Sequence, residues 1–260
     1  MQMKIKGAFF DIDGTLISHK DGSVPEDTRL ALRKLKEQGI RIFTSTGRHI
    51  LEFAQLPVND IAFDGYVLLN GQLCLNNRRE VLSGSPIEES DILEILPLFE
   101  ERKLPIAFVE KDRLYINVID KRVEAAQQAI SSELPPLGEY RKGEPVYLVN
   151  VFSEREKAYE VLARMPHCKL TWWTEYGTDI IAKSGGKVMG MKQMLEIHGI
   201  RPEETIAFGD GENDVDMIEF AGIGVAMGNG EELVKERADY VTDDVDAGGI
   251  LHALRHYGIL

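Results

Sequence analysis

The sequence has 260 residues, 43% of them hydrophobic, and a formal net charge of −13 at pH 7. This length and composition predict a globular protein of one large or two smaller domains. The acidic balance argues against nucleic acid as a partner, because phosphate backbones are bound by clustered lysine and arginine. We also expect no membrane partner, because apolar stretches of membrane-spanning length are missing from the sequence.

The N-terminal residues lack the basic, apolar and small-residue pattern of a signal peptide. The two cysteines, Cys74 and Cys168, form neither a CxxC pair nor a disulfide framework. We therefore predict a cytoplasmic protein. A phosphate ligand in so acidic a chain would require its own positive sources, namely a metal ion, basic side chains and backbone N–H groups.

A short apolar run leads directly into two acidic residues near the start of the chain. Residues 5–10 suit one buried strand, and Asp11, Asp13 and Gly14 follow it. In open α/β sheets, ligands bind beyond the carboxyl ends of the strands. The acidic residues are either part of a polar turn, which Asp-Gly favours, or ligands of a divalent cation.

Strands and helices alternate in the segment that follows. Residues 25–39 are predicted to form an amphipathic helix with acidic residues in its first turn and a glycine after its end. Strands are predicted at 40–44 and 66–69, with a helix at 50–56 between them. This alternation predicts parallel, right-handed βαβ units.

The middle of the chain has a different pattern, in which strand pairs are mixed with helices. This pattern favours an α+β module inserted at residues 83–183. Helices are predicted at 88–102, 121–134 and 154–164, and strands at 105–110, 113–118, 145–152, 169–174 and 178–182.

The alternating pattern returns from residue 186, so the first domain is discontinuous and comprises residues 1–82 and 184–260. The predicted fold class is α/β, with a Rossmann-like parallel-sheet core and an inserted α+β domain. Helices are predicted at 186–198, 215–220, 231–237 and 250–256, and strands at 205–208, 223–227 and 240–241.

Four polar groups fall at strand ends or helix starts of the predicted core. They are Asp11 with Asp13, Thr46-Gly47-Arg48, Lys187, and the segment from Asp210 to Asp214. Each alone has an ordinary explanation as a turn, a solvated helix residue or a helix cap. Together, and in this order, they favour one functional site.

These motifs resemble those of the haloacid dehalogenase superfamily of phosphohydrolases over nearly the whole chain. More narrowly, the chain resembles the Cof-type sugar-phosphate phosphatases, which carry a large α/β cap inserted after the third core strand. The resemblance rests on Asp11-Ile12-Asp13-Gly14-Thr15-Leu16, Thr46-Gly47-Arg48, Asn70-Gly71, Lys187 and Gly209-Asp210-Gly211-Glu212-Asn213-Asp214. Relatives often have glycine directly after the lysine, whereas Val188 follows here, so Lys183 is kept as an alternative to Lys187.

The resemblance implies a covalent mechanism at the first motif. Asp11 would be the nucleophile that forms an aspartyl-phosphate, and Asp13 would be the general acid and base. Mg²⁺ would be held by Asp11, the backbone carbonyl of Asp13, and Asp210. Asp214 would orient ligands or waters, or bind the metal itself.

The resemblance also implies a set of groups that bind the phosphoryl oxygens. The phosphate-binding set is Ile12 (backbone N–H), Thr46 (hydroxyl), Gly47 (backbone N–H), Lys187 and Asn213. Thr44 and Ser45 offer hydroxyls that are alternatives to that of Thr46, and Arg48 either touches phosphate or pairs with an acid. Asn70 and Gly71 are expected to line the entrance for the substrate.

In the cap, Trp172, Trp173, Glu175 and Tyr176 are candidates for contacts to a sugar. A core position is the favoured interpretation for the two tryptophans, because strand alternation buries at least one of them. His167 and His198 are interpreted as ordinary surface or packing residues. The sequence has no His/Cys cluster with the spacing of a zinc site.

The resulting prediction is a Mg²⁺-dependent phosphomonoester hydrolase, acting as a monomer on small phosphorylated metabolites, with sugar phosphates favoured. One alternative is a phosphatase of a phosphorylated cofactor, such as pyridoxal phosphate or a flavin nucleotide. Others are a phosphotransferase or mutase, and a non-catalytic regulatory protein that binds a phosphorylated ligand. A non-catalytic protein would have no chemical need for Asp11, Asp13, Lys187 and Asp210 together.

Overall fold

The structure, a computed structural model, describes residues 4–130, 132–173 and 175–260. Its strands form two sheets, one of eight strands and one of five. The strands are β1 Gly7–Phe10, β2 Arg41–Ser45, β3 Gly65–Leu68, β4 Leu73–Asn76, β5 Val81–Gly84, β6 Ile106–Glu110, β7 Leu114–Ile116, β8 Val146–Val151, β9 Cys168–Trp172, β10 Thr178–Ala182, β11 Thr205–Gly209, β12 Ile223–Ala226 and β13 Tyr240–Val241.

The described helices pack around these sheets, and none of them combines the length and the apolar character needed to cross a membrane. The α-helices are α1 Glu26–Glu37, α2 Ile50–Phe53, α3 Glu89–Glu101, α4 Lys121–Ala129, α5 Arg155–Leu162, α6 Lys187–His198, α7 Val215–Phe220, α8 Glu232–Arg237 and α9 Gly249–His256. Short 3₁₀ turns lie at Leu69–Gly71, Pro202–Glu204, Glu212–Asp214 and Val245–Ala247.

The eight-stranded sheet forms the core, in the order β13-β12-β11-β1-β2-β3-β4-β5. Strands from β13 to β3 are parallel, and β4 and β5 add an antiparallel edge. Gly7 of β1 lies opposite Arg41 of β2 and Thr205 of β11. Strands from both ends of the chain are therefore neighbours at the centre of one sheet.

Apolar side chains point to both faces of this sheet, as is typical of parallel sheets covered by helices. On one face, Phe10 stacks on Phe208 with ring centroids 5.0 Å apart, in the cluster that includes residues of α1 and α9. On the other face, Phe9 stacks on Phe43 at 4.7 Å and packs with Met191 of α6. The core is thus a three-layer structure.

The five-stranded sheet is antiparallel, in the order β7-β6-β8-β10-β9. Phe108 and Val149 belong to a cluster with residues of α3 and α5 on one face. On the opposite face Ala107 packs with residues of α4, while Val109 and Leu148 belong to the same apolar cluster as Leu69 of the core. This second face is therefore directed toward the core sheet.

The predicted fold class is confirmed, because a parallel-sheet core carries an additional antiparallel α+β module. The hairpin of β4 and β5 was not predicted. Both strands are short, and Val81 and Leu82 of the edge strand are 44% and 37% exposed. The predicted limit at residue 82 falls inside β5, and the limits of the inserted domain remain a prediction.

Two predicted helices are shorter in the structure. The helix predicted at 50–56 ends at Phe53, a few residues before Pro57. The helix predicted at 121–134 ends at Ala129, ahead of Pro135 and Pro136. Proline disfavours helical geometry in the residue before it, so the predicted helix ends at Leu56 and Leu134 were both disfavoured positions.

Candidate active site

A cavity of about 430 Å³ lies between the carboxyl ends of the core strands and the second sheet. Asp11, which follows β1, and Asp210, which follows β11, lie on its core wall. Leu148 and Asn150 of β8 lie on the opposite wall. The cavity is therefore built where open α/β sheets bind their ligands.

Three carboxylates meet at the core end of this cavity. Ligand oxygens of Asp11, Asp210 and Asp214 all lie within 4.8 Å of one another. Burial raises the pKa of Asp11 to about 7 and that of Asp210 to about 9. Repulsion by neighbouring carboxylates, with Asp214 acting on both, adds to these shifts. A group of hard oxygen ligands with excess negative charge fits a divalent cation such as Mg²⁺.

Lys187, the first residue of α6, reaches into this cluster. Its Nζ lies 2.6 Å from Asp11 Oδ1 and 2.6 Å from Asp214 Oδ1, and its side chain is fully buried. Burial alone would lower the pKa of Lys187, but the two carboxylates raise it above its ordinary value. Lys183, the alternative lysine, instead donates to the carbonyl of Pro166 on the exposed surface.

Asp214 and Asp210 have different surroundings. Asp214 Oδ1 accepts from Lys187, while its Oδ2 accepts the backbone N–H groups of Asp210 and Gly211 at 3.0 and 3.1 Å. Asp210 accepts from the Thr15 hydroxyl at 2.9 Å and lines the cavity. Both oxygens of Asp214 are thus engaged by Lys187 and by the backbone of the loop, whereas Asp210 faces the cavity.

Gly14 allows the first motif to approach Asp210. Its φ of +80° is in the left-handed region, and a Cβ atom here would lie 2.2 Å from Asp210 Oδ2. Any larger residue would therefore displace the carboxylate.

Asp13 is not part of the three-carboxylate cluster and pairs with Arg48. Arg48 Nε and Nη2 donate to its two carboxylate oxygens at 2.9 and 2.8 Å. Arg48 Nη2 also donates to the carbonyl of Ile130, just after α4, at 3.0 Å. Of the two interpretations of Arg48, the structure shows the ion pair with an acid, and this ion pair also contacts the inserted module.

Thr46 and Gly47 both line the cavity. Thr46 Oγ1 accepts the backbone N–H of Arg48 at 3.1 Å, so its own hydroxyl hydrogen stays available for a ligand. The hydroxyls of Thr44 and Ser45 are buried, find no partner among the described residues and are not part of the cavity wall. Among the three candidate hydroxyls, only that of Thr46 faces the cavity.

Asn70 links the core to the second sheet. Its Nδ2 donates to Asp179 Oδ2 at 2.7 Å, and its Oδ1 accepts from Asn213 Nδ2 at 3.2 Å. Asn150 Nδ2 donates to Asp179 Oδ1 at 2.6 Å. Asn70 and Gly71 were expected to line the cavity entrance, but Asn70 is buried and neither residue lies on the cavity wall. Asn213, a predicted phosphate-binding residue, does line the cavity.

Asp179 and Asn150 were not predicted as functional residues. Both line the cavity, and burial raises the pKa of Asp179 to about 7. The available signal was a carboxylate directly before the apolar run Ile180-Ile181-Ala182 of β10, because acidic residues are rarely buried without a partner. Local sequence could not show that its partners come from β8 and from the end of β3.

The tryptophans are both half-buried and line the cavity, and Trp173 also packs against the apolar cluster that includes Ala107 and Phe152. Trp173 meets the ring of Phe152 edge-on at 6.1 Å, and the Arg155 guanidinium lies 4.6 Å from the Trp172 ring. Glu175, Tyr176 and Ile12 are not among the lining residues, and the Ile12 side chain is fully buried.

Comparisons with known proteins agree with this architecture. A family model described as haloacid dehalogenase-like hydrolase matches residues 8–254. A putative phosphatase of Bacillus subtilis, YkrA, is 34% identical over 99% of this chain and 100% of its own length.

Two solved structures are also similar over nearly their whole length. The phosphatase BT1666 of Bacteroides thetaiotaomicron superposes with a TM-score of 0.90 at 28% identity, covering 99% of this chain and 96% of that one. A structure described as the HAD subclass IIB sugar phosphatase BT4131 superposes with a TM-score of 0.87 at 33% identity, covering 98% and 100%.

Proposed function

The chain belongs to the haloacid dehalogenase-like hydrolases, and from this premise we propose that it is a Mg²⁺-dependent phosphomonoesterase. Its substrates are small phosphorylated metabolites, with sugar phosphates favoured because one similar structure is described as a sugar phosphatase. The observation that carries the proposal is the grouping of Asp11, Lys187 and Asp210 at one end of a cavity that Asp13 also lines.

In the first step, Asp11 attacks phosphorus and the bond from phosphorus to the ester oxygen breaks. Asp13 gives its proton to the departing oxygen, so that a neutral alcohol leaves. In the second step, water attacks the aspartyl-phosphate and returns a proton to Asp13, which releases inorganic phosphate and restores Asp11. Asp13 lines the same cavity as Asp11 and lies outside the three-carboxylate cluster, which supports a role separate from metal binding by its side chain.

The metal would be held by Asp11, the backbone carbonyl of Asp13 and Asp210, with Asp214 orienting the site. When bound, Mg²⁺ supplies positive charge against the phosphoryl oxygens and the crowded carboxylates. The remaining phosphoryl charge is stabilised by preorganised donors of this chain, which we assign to Ile12 N–H, Thr46, Gly47 N–H, Lys187 and Asn213.

We further propose that the enzyme acts as a cytoplasmic monomer without a nucleic acid or membrane partner. The net charge of −13 supports the exclusion of a nucleic acid partner. Retention of the proposed nucleophile, acid, lysine and metal carboxylate in one site disfavours a purely regulatory phospholigand-binding role.

The test is release of inorganic phosphate from a panel of phosphorylated metabolites, ranked by kcat/KM with Mg²⁺ present. EDTA is expected to abolish turnover, and added Mg²⁺ to restore it. Asp11→Asn is expected to lower kcat by at least about a thousandfold, because the covalent route is lost.

Full activity in that variant, or indifference to EDTA, would contradict the mechanism. Phosphate transfer to an added sugar in place of phosphate release would identify a phosphotransferase.

A further inference from the structure

The far half of the cavity, opposite the proposed nucleophile, is walled by the inserted module. Most of the side chains that the module contributes there are apolar, including Val109, Leu114, Leu134, Leu148 and Phe152. If phosphate occupies the Asp11 end, this half encloses the rest of the substrate. The surface offered to the leaving group is thus largely hydrophobic.

The described part of the module supplies no cation to this half. Among the described residues that it places on the cavity wall, Glu133 and Asp179 are acidic, and there is no lysine, arginine or histidine. A second anionic group of a substrate would therefore lie against apolar side chains with no cation to pair with. An anionic group that loses its hydration without gaining a partner costs several kcal/mol.

The basic residues on the core wall do not compensate. Arg48 is occupied by Asp13 and by the carbonyl of Ile130. His49 Nδ1 accepts the backbone N–H of Leu51, so Nε2 carries the hydrogen and donates to the carbonyls of Glu110 and Lys111. His19 lies beside Gly14 at the opposite, phosphate end.

We infer that the leaving group is an alcohol with an apolar face and with no anionic group beyond the phosphate that is transferred. This inference rests on the proposed phosphatase function. It excludes bisphosphates and phosphorylated carboxylic acids as preferred substrates.

One polar group refines the description of the ligand. Gln127 is only 9% exposed and lines the cavity, and its Oε1 finds no hydrogen-bond partner among the described residues. A buried acceptor without a partner is costly, and a ligand donor can satisfy it. The leaving group is therefore expected to carry a hydroxyl or other neutral donor.

The first test compares matched substrate pairs with the native enzyme and Mg²⁺. Glycerol 3-phosphate and 3-phosphoglycerate share a three-carbon skeleton and differ by a hydroxymethyl group against a carboxylate. Glucose 6-phosphate and glucose 1,6-bisphosphate differ by one phosphate. In each pair we expect kcat/KM to be at least about tenfold lower for the more anionic member.

A charge-insertion variant gives the second test. Leu134 lines the cavity but is 47% exposed, so that Leu134→Arg can place a cation at the wall without disturbing the core. We expect Leu134→Arg to reduce the ratio of kcat/KM for the less anionic substrate to kcat/KM for the more anionic one by at least about threefold in each pair. The matched control is Leu137→Arg, three residues away, 66% exposed and outside the cavity wall, which should leave the preference unchanged.

The outcomes separate the inference from the function on which it rests. Phosphate release without discrimination within the pairs, or equal effects of the two arginine variants, would overturn the inference and keep the phosphatase. No release from any phosphomonoester, including p-nitrophenyl phosphate, would overturn both.

Discussion

Lys187 holds two buried carboxylates together at the proposed catalytic end of the cavity. The ion pairs to Asp11 and Asp214 are both 2.6 Å long and fully shielded from solvent on the lysine side. A buried ion pair adds little net stability, but removing one partner leaves an uncompensated charge. Lys187 is therefore needed to neutralise the buried carboxylates of Asp11 and Asp214, in addition to any contribution to phosphate binding.

We predict that Lys187→Met lowers the free energy of unfolding of the metal-free protein by about 3–5 kcal/mol and abolishes turnover. Urea denaturation and phosphate release measure the two effects. Lys183→Met is the control, because this exposed lysine should change stability by less than about 0.5 kcal/mol. A larger loss of activity in the Lys183 variant would reverse the assignment of the two lysines.

The proposed role of Asp13 is to protonate the leaving group, and this role matters most for substrates with poor leaving groups. Asp13→Ala should lower kcat/KM for sugar phosphates, which have poorly leaving alkoxides, by about 10²–10⁴-fold. The loss should be much smaller for p-nitrophenyl phosphate, whose leaving group needs no proton. Equal losses for both substrates would show that Asp13 acts only through its ion pair with Arg48.

At the scale of elements, the 3₁₀ turn after β3 and the start of α6 approach each other closely. Gly71 has a φ of +82°, and a Cβ atom there would lie 2.0 Å from the carbonyl oxygen of Gly186. Because Gly186 immediately precedes Lys187, this contact positions the helix that carries the lysine.

We predict that Gly71→Ala destabilises the protein by at least about 2 kcal/mol and reduces activity, since a backbone clash is added to left-handed strain. Gly39→Ala isolates the strain, because Gly39 has a φ of +77° and nothing within 4 Å. It should cost only about 1 kcal/mol and leave kcat unchanged. Equal costs in chemical denaturation would show that the contact with Gly186 relaxes freely.

Strand β10 brings a titratable group to the junction of the two sheets. Burial raises the pKa of Asp179 from 3.8 to about 7. Between these values the folded protein binds more protons at this site than the unfolded chain does. Ionisation of Asp179 therefore lowers the free energy of unfolding as pH rises, by up to about 1.4 kcal/mol per pH unit.

Asp179→Asn removes this titration while keeping the size of the side chain. Its free energy of unfolding minus that of the native protein should increase by about 2 kcal/mol or more from pH 5 to 7, and then level off. Asp112→Asn, at a side chain that is 83% exposed on the same module, is the matched control for the loss of one carboxylate. A difference independent of pH would mean that Asp179 stays ionised in the folded protein.

At the scale of the whole molecule, the proposed metal site joins the two ends of the chain. Asp11 follows β1, whereas Asp210 and Asp214 follow β11, and these strands are neighbours in the core sheet. A cation that binds only the folded arrangement stabilises the whole fold by mass action. The effect should be visible without any substrate.

We predict that Mg²⁺ at about 100 times its Kd adds about 2.7 kcal/mol to the free energy of unfolding. For a chain of this length the Tm should rise by roughly 5–10 °C in a thermal melt. In the Asp210→Asn variant, Mg²⁺ should cause only a small part of this rise in Tm. An equal shift in the variant, or none in the native protein, would argue against this site.

Local patterns in the sequence were sufficient for the α/β class, the inserted module and the polar groups at strand ends. Strand and helix periodicity is a property of neighbouring residues, and parallel strands necessarily bring their carboxyl ends to one edge. For this reason Asp11, Thr46 and Asp210 could be predicted to lie close together before any contact was known.

Only the tertiary structure decided which groups meet. It selected Thr46 over Thr44 and Ser45 for the cavity wall, paired Arg48 with Asp13, and joined Asn70 to Asp179 of the second sheet. It also showed the acidic and apolar character of the cavity's far half. These features depend on side chains that are distant in the chain, and periodicity holds no information about how two separate sheets face each other.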